Sequence, residues 1–330
     1  MSTSADSGSD RPRRRLARWI QPAVAVALLA ALFTLIPPSE VLSALTAAHP
    51  GLLAAAVVFG FAIQAGTTLR VRPLLFAQGL RFSTLELLEI NLSALFYGLF
   101  LPAGNFAGIA LRFYRMGSLQ KNYSGAAVML VFDRLIATAS LCVVGVGAWA
   151  LVERPGASGP MLAVVAGALG VTLGLQAALV ADLPFPARLG RIAGGRLAGP
   201  VERLRRAQGV ARDLPGAVLL RVAAVALLTQ LLGVAAYTLI AAAVGLELSL
   251  ATVAWARSAA LLLAILPVSV SGLGLREGAL VALLAPYGVA AADAMAFSLA
   301  GFTATTVVPA LLGGVLEIWR FCSRSASRVW

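Results

Sequence analysis

Apolar residues run through this chain in long blocks, and polar residues collect in the gaps between them. The blocks are Ile20–Ile36, Gly51–Leu69, Leu85–Leu101, Phe106–Met116, Gly125–Leu151, Met161–Ala181, Ala217–Gly245, Leu250–Leu266, Leu273–Ala285 and Ala290–Ile318. A helix rises about 1.5 Å per residue, so about 20 apolar residues cross the hydrocarbon core of a bilayer. Most blocks reach or approach that length, and most lack the polar face that a water-soluble bundle would need. The pattern predicts an all-α polytopic membrane protein. Phe106–Met116 and Leu273–Ala285 are too short to span, and each follows a Pro/Gly-rich break. They are read as re-entrant or short hairpins, giving about six full spans plus two hairpins, or up to ten spans if both hairpins cross.

The richer break is Leu266-Pro267-Val268-Ser269-Val270-Ser271-Gly272-Leu273-Gly274-Leu275-Arg276-Glu277-Gly278. Broken backbone at membrane depth must be buried in protein or line a wet cavity, because lipid cannot satisfy free N–H and C=O groups. Ionised side chains there cost about 2.5–3.5 kcal/mol each on insertion scales. This stretch is therefore the first candidate for a working site. The other break is Pro102-Ala103-Gly104-Asn105.

Composition supports the membrane reading. Of 330 residues, 60% are hydrophobic and 12% charged, and the mean hydropathy is +0.90. A soluble domain carries about 25% charged residues. The net charge is +12, almost all of it from arginine, since Lys121 is the only lysine. The arginines cluster at the ends of apolar blocks, so membrane topology and lipid headgroups account for them better than nucleic acid does. One histidine, His49, excludes a histidine-rich metal site, and no cofactor is implied. Lys121 lacks the glycine-rich lead of a P-loop. Cys142 and Cys322 provide no disulfide framework. Tyr97, Trp149, Trp255 and Trp319 read as interface anchors.

Charge also orients the chain. Residues 1–19 form a disordered basic leader ahead of a single membrane domain, 20–320, and a tail, 321–330. Arg70, Arg72 and Arg81 follow the second helix on the inside, with Arg115 and Lys121 beside the first hairpin. The segment 182–214 carries seven arginines between Arg188 and Arg212 and joins two candidate halves, 20–181 and 215–320. The positive-inside rule then places both termini in the cytoplasm of a multi-pass protein of the inner or plasma membrane. Within 182–214 the apolar residues among the arginines allow a helix lying on the inner leaflet, or a plain cytoplasmic loop.

The halves share a pattern. Ser93-Ala94 leads to Leu101-Pro102 at the spacing by which Ser258-Ala259 leads to Leu266-Pro267, with long apolar blocks on either side. The assigned directions of those blocks are opposed, as in an inverted repeat whose broken hairpins meet near the midplane.

Three patches give the chain a family resemblance: Leu101-Pro102-Ala103-Gly104 through Gly108-Ile109-Ala110-Leu111-Arg112, Val128 through Phe132-Asp133-Arg134, and the Pro267–Glu277 break. Together they resemble the flippase-like membrane family typified by the transmembrane region of lysylphosphatidylglycerol synthase. Ile109 stands where members commonly carry an acid, and Asp133 where glutamate is commoner. No synthetase domain is expected after the membrane region, so the resemblance implies lipid translocation without the transferase, and no enzyme activity.

The expected site gathers Arg112, Asp133, Arg134, Ser269, Ser271, Gly272, Gly274, Arg276 and Glu277 around a polar cavity. Arg276 and Glu277 are helix neighbours about 100° apart, so each is expected to find a different partner. Arginine offers phosphate two parallel hydrogen bonds, and a hairpin helix N-terminus adds amide donors. The expected partners are a membrane lipid, anionic or lipid-linked phosphate, and lipid-biosynthesis enzymes, with no nucleic acid. A salt-bridge network that only fastens the hairpins is the alternative for each charged residue. At the level of function, the alternatives are a membrane-embedded lipid-modifying enzyme or accessory subunit, and a small-solute secondary transporter.

Overall fold

The computed structural model describes residues 26–27, 30–34, 36–101, 104–152, 159–180, 214–265 and 272–326. Its helices are α1 (Pro38–Ala47), α2 (Pro50–Ala77), α3 (Thr84–Phe100), α4 (Asn105–Gln120), α5 (Tyr123–Trp149), α6 (Gly159–Val180), α7 (Gly216–Ala243), α8 (Leu250–Ala264), α9 (Leu275–Leu284), α10 (Ala291–Phe302) and α11 (Val308–Ala326). The described residues contain no strand. Four helical stretches among them are long and apolar enough to cross a membrane: Pro50–Ala77, Tyr123–Trp149, Gly216–Ala243 and Ala291–Cys322. Their outward faces remain apolar, with Val58, Val131 and Leu220 more than half exposed, as an acyl-chain environment requires.

Local chemistry sets the helix ends. Ser83 opens α3 with a capping box: its Oγ accepts from the Glu86 N–H at 3.2 Å, and its own N–H donates to Glu86 Oε2 at 2.8 Å. Asn122 caps α5 by accepting from the Gly125 N–H at 2.8 Å, and Ser249 caps α8 by accepting from the Thr252 N–H at 3.1 Å. Pro50 takes the first turn of α2, where its missing N–H is not needed.

The frame is a pair of long antiparallel helices, α2 and α7, each of 28 residues. The His49 N–H donates to the Ala243 carbonyl at 2.9 Å, so the start of α2 meets the end of α7. On this frame α3 folds back on α4, and α8 on α9. Each hairpin also packs on a long helix from the other half of the chain: α3 on α11, and α8 on α5. Gly313 permits the first of these contacts, because a Cβ there would lie 2.1 Å from the Leu92 carbonyl oxygen. One core, around Leu74, Leu87, Met116 and Met129, lies where α2, α3, α4, α5 and α7 meet.

Several expectations change. Helix α2 continues past Leu69 through Val71, Leu74 and Leu75, which are all buried, so Arg70 and Arg72 belong to a helix and not to a loop. The interval between the first two apolar blocks contains α1, which Ile36, Val41 and Leu45 attach to α10 through Ala292 and Met295. The block Ala290–Ile318 is interrupted by a π-helical turn at Thr303–Val307. Trp255 is fully buried against Cys142, Val165 and Val234, so it is not an interface anchor. The leader, most of the first apolar block and the segment 182–213 lie outside the described residues.

Candidate functional site

Two separate groups of charged side chains occupy the interior. In the first, Arg70 of α2 grips Asp133 of α5 with both arms: Nε donates to Oδ1 at 2.6 Å and Nη2 to Oδ2 at 3.2 Å. Both residues are buried, and the parallel fork is the strong geometry for a guanidinium and a carboxylate. Arg112 of α4 is half-buried and interacts electrostatically with Asp133, Arg134 and Arg70. Arg134 is exposed beside them. Three guanidiniums therefore share one carboxylate, which Arg70 already occupies.

In the second group, Arg276 and Glu277 at the start of α9 pair directly, both deeply buried. Ser298 of α10 accepts from Arg276 Nε at 3.3 Å and lies 3.4 Å from Glu277 Oε1. The Arg276 guanidinium lies over the Phe302 ring, 4.1 Å from its centroid. The other oxygen of Glu277 accepts from the Gly274 N–H at 2.6 Å. The group is charge-neutral and closed: each carboxylate oxygen has a donor from within the chain.

The expected single network is thus two. Among the described residues no hydrogen bond or ion pair joins Arg112, Asp133 or Arg134 to Arg276 or Glu277. The expectation that Arg276 and Glu277 need different partners also fails. Their Cα–Cβ bonds diverge by about 100°, but the arginine stem is long enough to swing its head back to the neighbouring carboxylate. The α9 N-terminus, expected to offer amides to a ligand, gives its Gly274 amide to Glu277. Gly272 and Gly274 have φ of +75° and +82°, values that side chains rarely adopt, so their glycine identity has a conformational cause. Ser269, Ser271 and Pro267 lie outside the described residues, as does Pro102.

The apolar pattern does not disclose Arg70 as the partner of Asp133, because the second block ends one residue before it. Nor does it disclose the clamp between the first hairpin and α11. There Arg115 donates to Glu317 at 2.7 and 2.6 Å, and the Ser93 hydroxyl donates to the same carboxylate at 2.5 Å. Arg320 pairs with Glu89 one turn further along. Gln230 joins three helices, donating to the Ala137 carbonyl of α5 at 3.3 Å and accepting from Arg257 of α8 at 3.2 Å.

An all-α multi-pass protein with long antiparallel central helices, two hairpins and buried guanidinium–carboxylate groups belongs to the class of polytopic membrane proteins that bury ionised side chains among their helices. More narrowly, the chain is a member of the lysylphosphatidylglycerol synthase transmembrane-region family, whose model matches residues 18–313. A search among curated proteins gives no match. Membership ties the chain to membrane lipid metabolism.

Proposed function

We propose that this protein moves a phospholipid or a lipid-linked phosphate between the two leaflets. The observation that carries this reading is the excess of cation around Asp133. Arg70 neutralises the carboxylate, and Arg112 and Arg134 are left as two guanidiniums without a carboxylate of their own among the described residues. Arg112 is half-buried, where a cation without a counter-ion is costly, and a phosphate arriving between it and the exposed Arg134 would supply the missing charge. In this reading the closed Arg276–Glu277 group sets the second hairpin in place, and the first group meets the headgroup. The reciprocal packing of α3 on α11 and α8 on α5 supports two inverted halves that move against each other. In this reading the arginine-rich end of the α2–α7 pair faces the cytoplasm, as the positive-inside rule favours.

The test is a leaflet-resolved lipid-transfer assay with the full chain purified into vesicles. Wild type is expected to exchange labelled phospholipid between leaflets, and Arg112→Gln and Arg134→Gln to slow it about tenfold or more, the loss of one charge-assisted contact. Wild-type rates in both variants would remove this group from the translocation path. Chemically altered lipid would point to an enzyme, and uptake of a soluble solute without lipid movement to a secondary transporter.

A further inference from the structure

A cavity of about 840 Å³ opens between the last turns of α2, the first turn of α3 and the first turns of α7. Its charged lining residues are Arg72, Arg81 and Arg221, and no carboxylate lines it among the described residues. All three arginines are exposed, and none has an acidic partner among the described residues. Arg72 has a single long contact, Nε to the Phe82 carbonyl at 3.4 Å. Arg81 lies over the Phe76 ring at 5.6 Å, and Arg221 makes no hydrogen bond or ion pair among the described residues. Three cations converging on one space repel one another unless an anion joins them.

The remaining wall decides what kind of anion. Leu69, Leu75, Phe76, Leu80 and Val218 present hydrocarbon, with Phe76 and Leu69 also open to the outside. The Ser83 hydroxyl is already used in the α3 capping box. A small hydrated anion has no use for such a wall, whereas an amphiphile can match both parts. We propose that this cavity binds an anionic phospholipid of the adjoining leaflet, with its phosphate among Arg72, Arg81 and Arg221 and an acyl chain along the Leu69–Phe76 side. The cavity lining shares no residue with the Asp133 group, and the proposal does not rest on the transport reading: a lipid held here stays with the protein whether or not lipid crosses the membrane. Guanidinium suits the role because two of its N–H groups can meet two phosphate oxygens at once, and aromatic stacking keeps Arg81 extended over the cavity.

The test uses the full chain in nanodiscs of phosphatidylcholine doped with phosphatidylglycerol, released into mild detergent and weighed by native mass spectrometry. Wild type and Lys121→Gln are expected to keep phosphatidylglycerol over phosphatidylcholine. The triple variant Arg72→Gln/Arg81→Gln/Arg221→Gln is expected to lose that preference by about tenfold or more. Arg72→Lys/Arg81→Lys/Arg221→Lys, which keeps the charge, is expected to restore part of it, and shows that any loss is not a failure to fold. Undiminished retention in the triple Gln variant would overturn the proposal. Displacement of the lipid by inorganic phosphate at equal concentration would overturn the lipid as occupant and leave a plain anion site. Lipid transfer measured on the same triple variant separates the two ideas: transfer abolished only by the Arg112 and Arg134 changes, with retention abolished only by the triple change, supports both independently.

Discussion

At the scale of single residues, the interior is governed by what each buried charge touches. Asp133 and Arg70 are a closed bidentate pair, so removing one partner strands the other in a medium that cannot solvate it. Asp133→Asn is expected to destabilise the protein by about 3–5 kcal/mol. The double replacement Arg70→Leu/Asp133→Leu is expected to be much milder than either single change, because it leaves no charge unpaired. Thermal unfolding of the three variants in detergent checks this. A double variant as unstable as the sum of the singles would show that the pair does not act as a unit. Arg257 shows the same physics with less compensation. It is buried, its nearest polar partner is the neutral Gln230, and Tyr237 offers its ring face 5.5 Å from the guanidinium carbon.

At the scale of elements, the hairpins show why glycine matters in the broken segment. Gly272 has φ of +75°, and a Cβ there would lie 2.5 Å from the Ala264 Cβ at the end of α8. Gly272→Ala therefore meets both a left-handed backbone penalty and a clash, together about 2–4 kcal/mol. Gly278, inside α9, has only ordinary contact 3.9 Å from Leu32, so Gly278→Ala is expected to stabilise the helix by about 0.5–1 kcal/mol. Melting temperatures should move in opposite directions, and a shared direction would refute the assignment of these glycines to different roles. The helices themselves are readable because blocks of apolar residues and their Pro/Gly breaks report directly on membrane spans. Their ends are less so. The i, i+3, i+4 pattern of Val71, Leu74 and Leu75 is available to carry α2 past Arg70, but a charged residue after a long apolar run reads as a boundary. Helix α1 likewise announces itself through Val41, Ala44, Leu45 and Ala48, yet Pro37-Pro38 and Glu40 read as a loop. Of the site, the charged residues are legible and their pairing is not. Ser298 and Phe302 sit in an unremarked apolar block, and only the fold brings them to Arg276.

At the scale of the whole molecule, the α2–α7 pair has two chemically opposite ends. One carries a cavity of about 510 Å³ lined by Glu40, His49 and Asp293, where α2 begins and α7 ends. The other carries the arginine-lined cavity, where α2 ends and α7 begins. The cation-rich cavity and the Arg70–Asp133 pair sit on neighbouring turns of one helix. Helix α11 reaches back to the first hairpin, which its Glu317 and Arg320 hold through Arg115, Ser93 and Glu89. Those contacts depend on the rotational phase of α11, and the π-helical turn at Thr303–Val307 lies just before it. A π turn holds one residue more than the α turn it replaces, so the chain can carry a spare residue there while the helix beyond keeps its phase. Deleting Thr305 is expected to convert the turn to α-helix and leave Glu317 on Arg115. Deleting Leu312, beyond the turn, would swing Glu317 by about 100° and release the hairpin. Comparison of the two deletions by expression and thermal stability tests this, and equal damage would refute it. Length changes in this protein should therefore be tolerated at Thr303–Val307 and nowhere else along α10 and α11.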